Sequence, residues 1–339
     1  MKRHANIPVF IPHVGCPNMC VFCNQRTISG VESFKIERLR ETIDNALSTI
    51  GDGVEVEIAF FGGSFTGIER EQMIELLRIA GDYVNRGLVS GIRCSTRPDY
   101  IDEDVLSVLR KHGVKTVELG LQSISDKVLS ATKRGHTFED EKRACRLIRE
   151  SGLELVGQMM IGLPKSTLID EINTARFIIE SGAMGARIYP TVVFKDTELC
   201  AMAECKTYNP ISLEEAVERS ASVFKLFIEN NVEVIRIGLC ASENLSSLDK
   251  YYAGPNHPAL GELVLGRYFL KLILDEVKKL SERGKVMEVS CAPKSLSRVI
   301  GQNKINKRQL CQLLDLRDIV FVPDDSIDEY RVSVKTIGG

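Results

Sequence analysis

The sequence contains no tryptophan, and aromatic residues make up only 6% of its 339 residues. It also lacks a strong charge of either sign, because 44 lysines and arginines nearly balance 46 aspartates and glutamates. A near-neutral chain creates no field that singles out nucleic acid or an anionic membrane as its main partner, although a local basic patch stays open. The shortage of aromatic side chains leaves few residues for stacking on bases.

Long apolar runs are missing as well. Nowhere do eighteen apolar residues follow one another, so no segment predicts a transmembrane helix. The amino-terminal segment, MKRHANIPVFIPHVG, has too short an apolar run for a signal peptide, and two prolines interrupt it. We therefore expect a cytoplasmic protein without a membrane partner, in which the ten cysteines are reduced thiols rather than a disulfide framework.

Strand and helix signals alternate from about residue 50 to residue 195. The β-branched and apolar runs are EVEIAFFGG, IRCSTRP, TVELGLQS, LELVGQMMIGLP and ARIYPTVV. Asp102 and Thr137 are placed to cap the amphipathic helices that follow two of these runs. Nearly continuous apolar strands separated by helices indicate a parallel sheet covered by helices.

A further run, IPVFIPH, supplies a first strand and brings the number of βα units to about six. That is fewer than the eight of a closed barrel. We predict an α/β fold, a partial (βα)6 TIM-like barrel with a small C-terminal α+β appendage, whose segment SLSRVIGQNKINKRQLCQLL forms one helix. The predicted domains are the core barrel at residues 1–200, an extension at 201–283 and the appendage at 284–339.

The segment HVGCPNMCVFCNQ places Cys16, Cys20 and Cys23 in one loop directly after the first strand. Thiolates are soft ligands that select zinc, copper(I) or an iron–sulfur cluster. Ordinary cubane clusters take four cysteines, so a trio leaves one metal position open, as catalytic metal sites do. The alternative is a structural zinc site with His13 as fourth ligand, but zinc ribbons pair two dyads and no second dyad is visible.

With Phe22 just before its last cysteine, the trio resembles the signature of the radical S-adenosylmethionine (radical SAM) superfamily. The resemblance implies that Cys16, Cys20 and Cys23 are both catalytic residues and metal ligands of a 4Fe-4S cluster, which binds S-adenosyl-L-methionine at its open iron. It also implies reductive cleavage of that cofactor to a 5′-deoxyadenosyl radical, with an electron donor such as flavodoxin or ferredoxin. The protein's share is to orient the cofactors and exclude water.

Motifs at the ends of later strands resemble the family's contacts with S-adenosylmethionine. Gly62, Gly63 and Ser64 resemble a Gly-Gly-Glu element that binds the methionine amine, with serine in place of the acid. Arg134 lies in KRGHT, a segment similar to one in the Elongator catalytic subunit and in relatives of oxygen-independent coproporphyrinogen oxidase. It suits a bidentate grip on the cofactor carboxylate. The other candidate cofactor-binding residues are Phe22, Ser95, Thr96, Gln122, Met160 and Tyr189.

Each of these motifs has a plainer alternative. The glycine pair also suits a strand-ending turn, and the basic KRGHT segment also suits a solvated turn. Met159 and Met160 are residues that commonly fill a core. Arg97 and Glu118 are as compatible with a structural ion pair as with contacts to a cofactor.

In content and order, the motifs resemble Elongator-type radical SAM proteins over roughly residues 7 to 260, including IYPT and KDTEL at residues 188–191 and 195–199. Two departures limit what the resemblance implies. The Elongator subunit has a wider gap between its first two cysteines, and it carries an acetyltransferase domain for which this chain has no room. Carboxymethylation of tRNA uridine is therefore not implied.

Three functions remain open, and the oligomeric state is not indicated. The chain is expected to be a radical enzyme that modifies RNA, with tRNA as the first candidate; the alternatives are a radical enzyme acting on a small molecule or tetrapyrrole and a non-catalytic cluster or haem-binding protein. Residues 299–301 faintly resemble the glycine loop of an RNA-binding KH module. Five cations lie on the predicted helix and its flanks: Lys294, Arg298, Lys304, Lys307 and Arg308. They are compatible either with binding phosphates or with a solvated helix face.

Overall fold

A computed structural model of the chain describes residues 3–11, 15–16, 20–24, 34–51, 53–239, 250–280 and 284–337. The chain divides into two compact units. The first consists of Met1–Ile211 and Val232–Asn256, and the second of Ser212–Asn231 and His257–Gly339. The division into domains at residues 200 and 283 stays a prediction.

A parallel sheet organises the first unit. Among the described residues, seven strands pair in the order β1-β2-β3-β4-β5-β6-β8, so the sheet is open, with β1 and β8 at its edges. The strands of the unit are β1 (Arg3–Ile11), β2 (Val54–Gly62), β3 (Gly91–Thr96), β4 (Val114–Gln122), β5 (Glu154–Ile161), β6 (Gly185–Pro190), β7 (Val193–Phe194), β8 (Glu233–Ile237) and β9 (Tyr251–Ala253).

Helices follow most of these strands and complete the predicted partial barrel. They are α1 (Leu39–Thr49), α2 (Arg70–Asn85), α3 (Glu103–Lys111), α4 (Asp126–Ala131), α5 (Phe138–Glu150), α6 (Leu168–Glu180) and α7 (Glu198–Glu204). The caps confirm the prediction: Asp102 accepts a hydrogen bond from the Val105 amide at 2.7 Å, and Thr137 forms a capping box with Asp140 at the start of α5. Each cap satisfies a backbone donor that the helix leaves unpaired.

The two faces of the sheet have different environments because side chains alternate along each strand. On one face, Ile58 and Val117 are fully buried. An ideal Cβ on Gly157 would lie 2.8 Å from the Ile178 side chain of α6, so this face is the one that the helices cover. Burying each large aliphatic side chain there contributes about 1.5 to 3 kcal/mol. Gln158, the next residue, faces the inner side of the barrel.

The second unit combines helices with a small sheet in the order β11-β10-β12. Ser212 caps its first helix by accepting the Glu215 amide at 3.1 Å. No helix in the described residues of the whole chain is long and apolar enough to cross a membrane. The elements are α8 (Leu213–Glu229), α9 (Leu260–Lys278), β10 (Val286–Cys291), α10 (Leu296–Ile300), α11 (Ile305–Leu313), β11 (Asp318–Pro323) and β12 (Val332–Thr336).

The single helix predicted across residues 295–314 is wrong. Two helices, α10 and α11, occupy this segment, and Gly301, Asn303 and Lys304 between them have φ angles of 77°, 50° and 60°. Left-handed backbone cannot continue a right-handed helix, so the chain must turn here. An ideal Cβ on Gly301 would lie 3.1 Å from the Asn306 amide nitrogen, which shows how tight that turn is.

Candidate cluster and cofactor site

The three cysteines follow β1 at the carboxyl-terminal edge of the parallel sheet, where open α/β sheets bind ligands. The Cys23 amide donates a hydrogen bond to the Cys20 carbonyl at 2.9 Å, which closes a tight turn. Gly15 has a φ of +78°, and an ideal Cβ on it would lie 2.2 Å from the Ser64 carbonyl oxygen. The cysteine segment therefore lies directly against the turn after β2. His13, the fourth ligand of the zinc alternative, lies outside the described residues.

Two cations face the sulfur of Cys20. This side chain is buried, with Arg134 Nη1 at 3.3 Å from Sγ and Arg97 Nη1 at 4.0 Å. The two arginines are themselves only 6% and 4% exposed. Guanidinium groups keep their charge in proteins, so two permanent positive charges lie beside one sulfur. This environment suits a negatively charged ligand.

Cys16 shares the same electrostatic environment. Burial raises its pKa, whereas a hydrogen bond from the Ser64 backbone and the charges of Arg97 and Arg134 lower it. Cys94 and Cys145 provide a contrast, because burial raises the pKa of each of these thiols to about 12. Those two cysteines are buried as small apolar residues and are poor metal ligands.

Among the described residues, no group of three histidine, cysteine or acidic side chains is arranged to hold a metal ion. Residues 12–14 and 17–19, which flank Cys16, are outside the described part of the chain. The donor set still fits an iron–sulfur cluster, because three thiols in one loop are soft ligands and permanent cations lie beside one of them. Two buried atoms close to those cations, Gln122 Oε1 and Arg134 Nε, also have no hydrogen-bond partner in the protein.

The glycines after β2 allow the backbone of β1 to approach closely. Gly62 has a φ of +109°, and an ideal Cβ on it would lie 2.7 Å from the Ile11 carbonyl oxygen. The Gly63 amide donates to that same oxygen at 2.7 Å. The strand-ending turn proposed as the plainer alternative is therefore present, and the contact with the methionine amine stays a prediction.

Ser64 and Thr96 belong to a buried cluster of hydroxyl groups. Their side-chain oxygens are 2.8 Å apart, and Thr66 Oγ1 lies 2.5 Å from Thr96 Oγ1. Ser95 is separate from this cluster, because Gln158 Nε2 donates to its Oγ at 3.3 Å on the inner face of the barrel. The structure thus brings Ser64 and Thr96 together and places Ser95 elsewhere.

Gln122 and Arg134 both lie close to Gly120. An ideal Cβ on this glycine would be 3.1 Å from Gln122 Nε2 and 3.4 Å from Arg134 Nη2. Arg134 Nη2 donates to the Gly120 carbonyl at 2.6 Å, while its Nη1 contacts Cys20. Both Nη atoms therefore already have protein partners, and Nε is the nitrogen left for the predicted carboxylate.

The three remaining candidates occupy different surroundings. Phe22 packs against an apolar cluster that includes Val21 and Leu199. Met160 is half-buried on the inner face, whereas Met159 is fully buried, as expected of a core residue. Tyr189 is half-buried and hydrogen-bonds Arg187.

A buried charge network on the inner face was not anticipated from the sequence. Arg93 pairs with Glu57 and, at 3.0 Å, with Glu118; Arg187 lies 2.8 Å from the same Glu118. Each is 7% exposed or less, and two acids balance two guanidinium groups. Buried charges need such partners because losing water is costly. The inward positions of adjacent strands carried a signal, since all four residues interrupt apolar runs at alternate positions.

The prediction that Arg97 and Glu118 form an ion pair with each other is wrong. Arg97 instead grips Asp99 with two hydrogen bonds of 2.9 and 3.0 Å. The reason is geometric, since Asp99 lies in the loop that Arg97 begins, whereas Glu118 points into the barrel interior. His136, to which the sequence assigned no role, contacts Asp99 Oδ1 at 3.7 Å and Glu141 Oε1 at 3.0 Å.

The basic face of the second unit is largely neutralised by acids. Lys294 lies 2.7 Å from Glu329, and Arg298 lies 3.1 Å from Glu262. Lys307 lies 2.8 Å from Asp318. These three cations already have acidic partners and are not held ready for phosphates. This pairing favours the alternative interpretation, in which they form a solvated helix face.

Comparisons with known proteins agree with this geometry. The family model of the radical SAM superfamily matches residues 10–178, and that of the Radical_SAM C-terminal domain matches residues 183–268. Elongator complex protein 3 of Homo sapiens is 29% identical over 252 residues, which are 61% of this chain and 46% of that protein. The tRNA uridine(34) acetyltransferase of Methanocaldococcus jannaschii is 31% identical over 184 residues, which are 48% of this chain and 34% of that protein.

The chain thus spans less than half the length of both relatives. Among solved structures, Methanocaldococcus infernus Elp3 with an N-terminal deletion has a TM-score of 0.60 at 21% identity and covers 80% of this chain and 68% of its own. That likeness confirms the partial barrel. The two family models show that this chain belongs to the radical SAM superfamily, whose enzymes use a 4Fe-4S cluster and S-adenosyl-L-methionine.

Proposed function

We propose that the chain is a radical SAM enzyme that modifies RNA, with tRNA as its substrate. The observation that carries this proposal is the similarity of 48% of the chain to a protein named as a tRNA uridine(34) acetyltransferase. The three cysteines lie in the part of the chain, residues 10–178, that the radical SAM family model matches. The similarity supports a substrate class rather than one particular modification.

In this proposal Cys16, Cys20 and Cys23 hold the cluster. When bound, that cluster supplies the electron for reductive cleavage of S-adenosylmethionine. A flavodoxin or ferredoxin of the cytoplasm is the proposed source of the electron. The surrounding protein contributes charge and exclusion of water, because Cys20 is buried and faces two guanidinium groups.

The methionine end of the cofactor is assigned to the turn after β2 and to Arg134. Arg134 Nε is buried and lacks a protein partner, so a carboxylate there would satisfy it. Gln122 Oε1 lacks a partner as well, and it would accept a hydrogen bond from a ribose hydroxyl or an amine. Leaving such groups unpaired costs about 1 to 3 kcal/mol each, so a ligand that pairs them gains binding energy.

The inner face of the barrel suits an uncharged, planar group such as a nucleobase. Its charge network is balanced, so an extra charge placed there would have no partner. Phe10 and Phe61 lie on the inner face with ring centroids 6.2 Å apart, and both are half-buried. Aromatic rings stack on unpaired bases of RNA, and the Arg187 guanidinium lies over the Phe61 ring at 5.4 Å from its centroid.

The proposal is tested by anaerobic reconstitution and an assay for 5′-deoxyadenosine with and without tRNA. We expect tRNA to increase the yield and a nucleoside of that tRNA to change in mass. Cys20→Ala should abolish both results, whereas Cys205→Ala, at an exposed cysteine that is not part of the loop, should change neither. Turnover that responds to small metabolites and ignores RNA would contradict the proposal.

A further inference from the structure

Arg97 contacts the cysteine loop but has no nitrogen left for a substrate. Its Nε and Nη2 donate to Asp99, Nη2 also contacts the carbonyl of Arg134, and Nη1 points to Cys20 Sγ at 4.0 Å. Only 4% of the residue is exposed. A cation held by three protein groups acts through its charge rather than by binding a ligand.

Three further side chains, of which Asp99 is partly exposed and His136 and Glu141 are buried, lie behind Arg97. Asp99 fixes the plane of the Arg97 guanidinium by a fork of two hydrogen bonds. His136 Nδ1 lies 3.7 Å from Asp99 Oδ1 and makes no hydrogen bond, so the imidazole is close to the carboxylate without bonding it, while the other ring nitrogen is 3.0 Å from Glu141 of α5. The His136 and Glu141 side chains are 0% exposed. The position of Arg97 is therefore tied to helix α5.

We propose that Arg97 and Arg134 raise the reduction potential of the cluster that Cys20 helps to hold, and that Asp99, His136 and Glu141 are positioning residues for Arg97. A cluster that accepts one electron gains one negative charge. Fixed positive charges beside its sulfur ligand stabilise that form, most strongly where water is excluded. Two such charges would bring the reduction potential of the cluster closer to that of an ordinary electron donor.

The inference rests on the cluster site and not on the identity of the substrate. Its test is a redox titration of the anaerobically reconstituted full chain, followed by electron paramagnetic resonance (EPR). Arg97→Gln removes the charge, Arg97→Lys keeps it and His136→Gln removes the imidazole behind Asp99. Lys133→Gln is the matched control, because it removes a cation next to Arg134 in the chain that is 59% exposed and paired with Glu198.

We expect Arg97→Gln to reduce the equilibrium constant for reduction at least tenfold, which is a shift of about 59 mV to lower potential for one electron. His136→Gln should shift it in the same direction by less, since a neutral side chain acts only through Arg97. Arg97→Lys should restore most of the potential, and Lys133→Gln should leave it unchanged because exposed charges are screened.

Binding of S-adenosylmethionine provides the second readout. All three nitrogens of Arg97 have protein partners, so Arg97→Gln should leave the affinity for S-adenosylmethionine unchanged. An unshifted potential in Arg97→Gln, or an equal shift in Lys133→Gln, would overturn the inference. A wild-type chain that assembles no cluster would overturn both the site and the inference, whereas an intact cluster with an unshifted potential would overturn only the latter.

Discussion

His136 and Glu141 illustrate how burial determines charge at single residues. Burial lowers the pKa of His136 to about 3, and the charges of Arg134 and Arg97 act in the same direction. Burial raises the pKa of Glu141 well above its usual value. Both shifts favour the uncharged form, so the hydrogen bond of 3.0 Å between them requires no buried ion.

A pH dependence of stability follows from the shift at His136. Below its ordinary pKa of 6.5, the unfolded chain binds a proton at this residue and the folded chain does not, so stability falls as the pH decreases. One such group contributes a slope of about 1.4 kcal/mol per pH unit. Glu141 acts in the opposite direction, because its raised pKa lowers stability as the pH rises above 4.5, and this range overlaps that of His136.

We therefore predict that His136→Gln removes the contribution by which stability falls on acidification, so that the slope of the free energy of unfolding against pH between about 6.5 and 4.5 is less positive than in the wild type. Urea unfolding of the wild type and the variant at several pH values in this range measures the two slopes. His112→Gln is the control, because its imidazole lies near the surface end of α3 and contacts the Val108 carbonyl. Equal slopes for wild type and His136→Gln would contradict the assignment.

The close approach of the backbones of β1 and β2 at Gly62 leads to a second prediction at the residue scale. In Gly62→Ala the new Cβ would meet the Ile11 carbonyl oxygen at 2.7 Å, and the φ of +109° would also be strained. Gly53→Ala has a positive φ but no atom within 4 Å, so it isolates the strain from the clash. Strain alone costs about 1 to 2 kcal/mol, and we expect Gly62→Ala to lose more than Gly53→Ala in urea unfolding. Equal losses would show that β1 does not constrain the turn.

Some of these residues were predictable and others were not. Cysteine spacing and glycine pairs are local patterns, so the sequence pointed to the cysteine loop and to the turn after β2. The partner of Arg97 was not predictable, because Asp99 and Glu118 are both acids. They differ only in where their side chains point, and the sequence does not show that Glu118 points into the barrel, where it pairs with Arg93. The Arg134 contact with Cys20 joins residues 114 positions apart, which no local pattern encodes.

At the scale of elements, nearly continuous apolar runs separated by helix-length segments predicted β1 to β6 with small shifts at their ends. The run VEVIRIGL also indicated a strand at β8, but residues 212–231 before it belong to the second compact unit and interrupt the βα repeat. The predicted helix over residues 295–314, by contrast, was wrong. Its periodicity continues across Gly301, whereas the backbone between α10 and α11 adopts left-handed angles.

The inner face of β4 supports a prediction about the sheet. Glu118 is 0% exposed and pairs with Arg93 and Arg187, so Glu118→Gln leaves two buried guanidinium groups with weakened partners. Breaking a buried pair costs about 3 to 5 kcal/mol. Glu233→Gln makes the same change at an exposed position of β8 and should cost less than ~0.5 kcal/mol. Similar losses in urea unfolding would show that the network does not stabilise the barrel.

At the scale of the whole molecule, the first unit carries the described contacts of the cysteine loop. Every contact described for Cys20, Arg97, Arg134 and Gln122 is made within that unit. The second unit has its own sheet and its own ion pairs. The succession of strand and helix signals predicted an α/β protein, but it could not indicate that the basic face of the second unit meets Glu262, Asp318 and Glu329, since those acids come from other segments.

The central claim is that Cys16, Cys20 and Cys23 hold a 4Fe-4S cluster that binds S-adenosylmethionine. EPR spectroscopy of the anaerobically reconstituted, reduced chain, recorded before and after adding S-adenosylmethionine, tests it most directly. We predict a 4Fe-4S signal that changes on adding the cofactor and is absent when the three cysteines are replaced by alanine. A protein that contains only zinc, or a cluster signal that persists without these cysteines, would contradict the account.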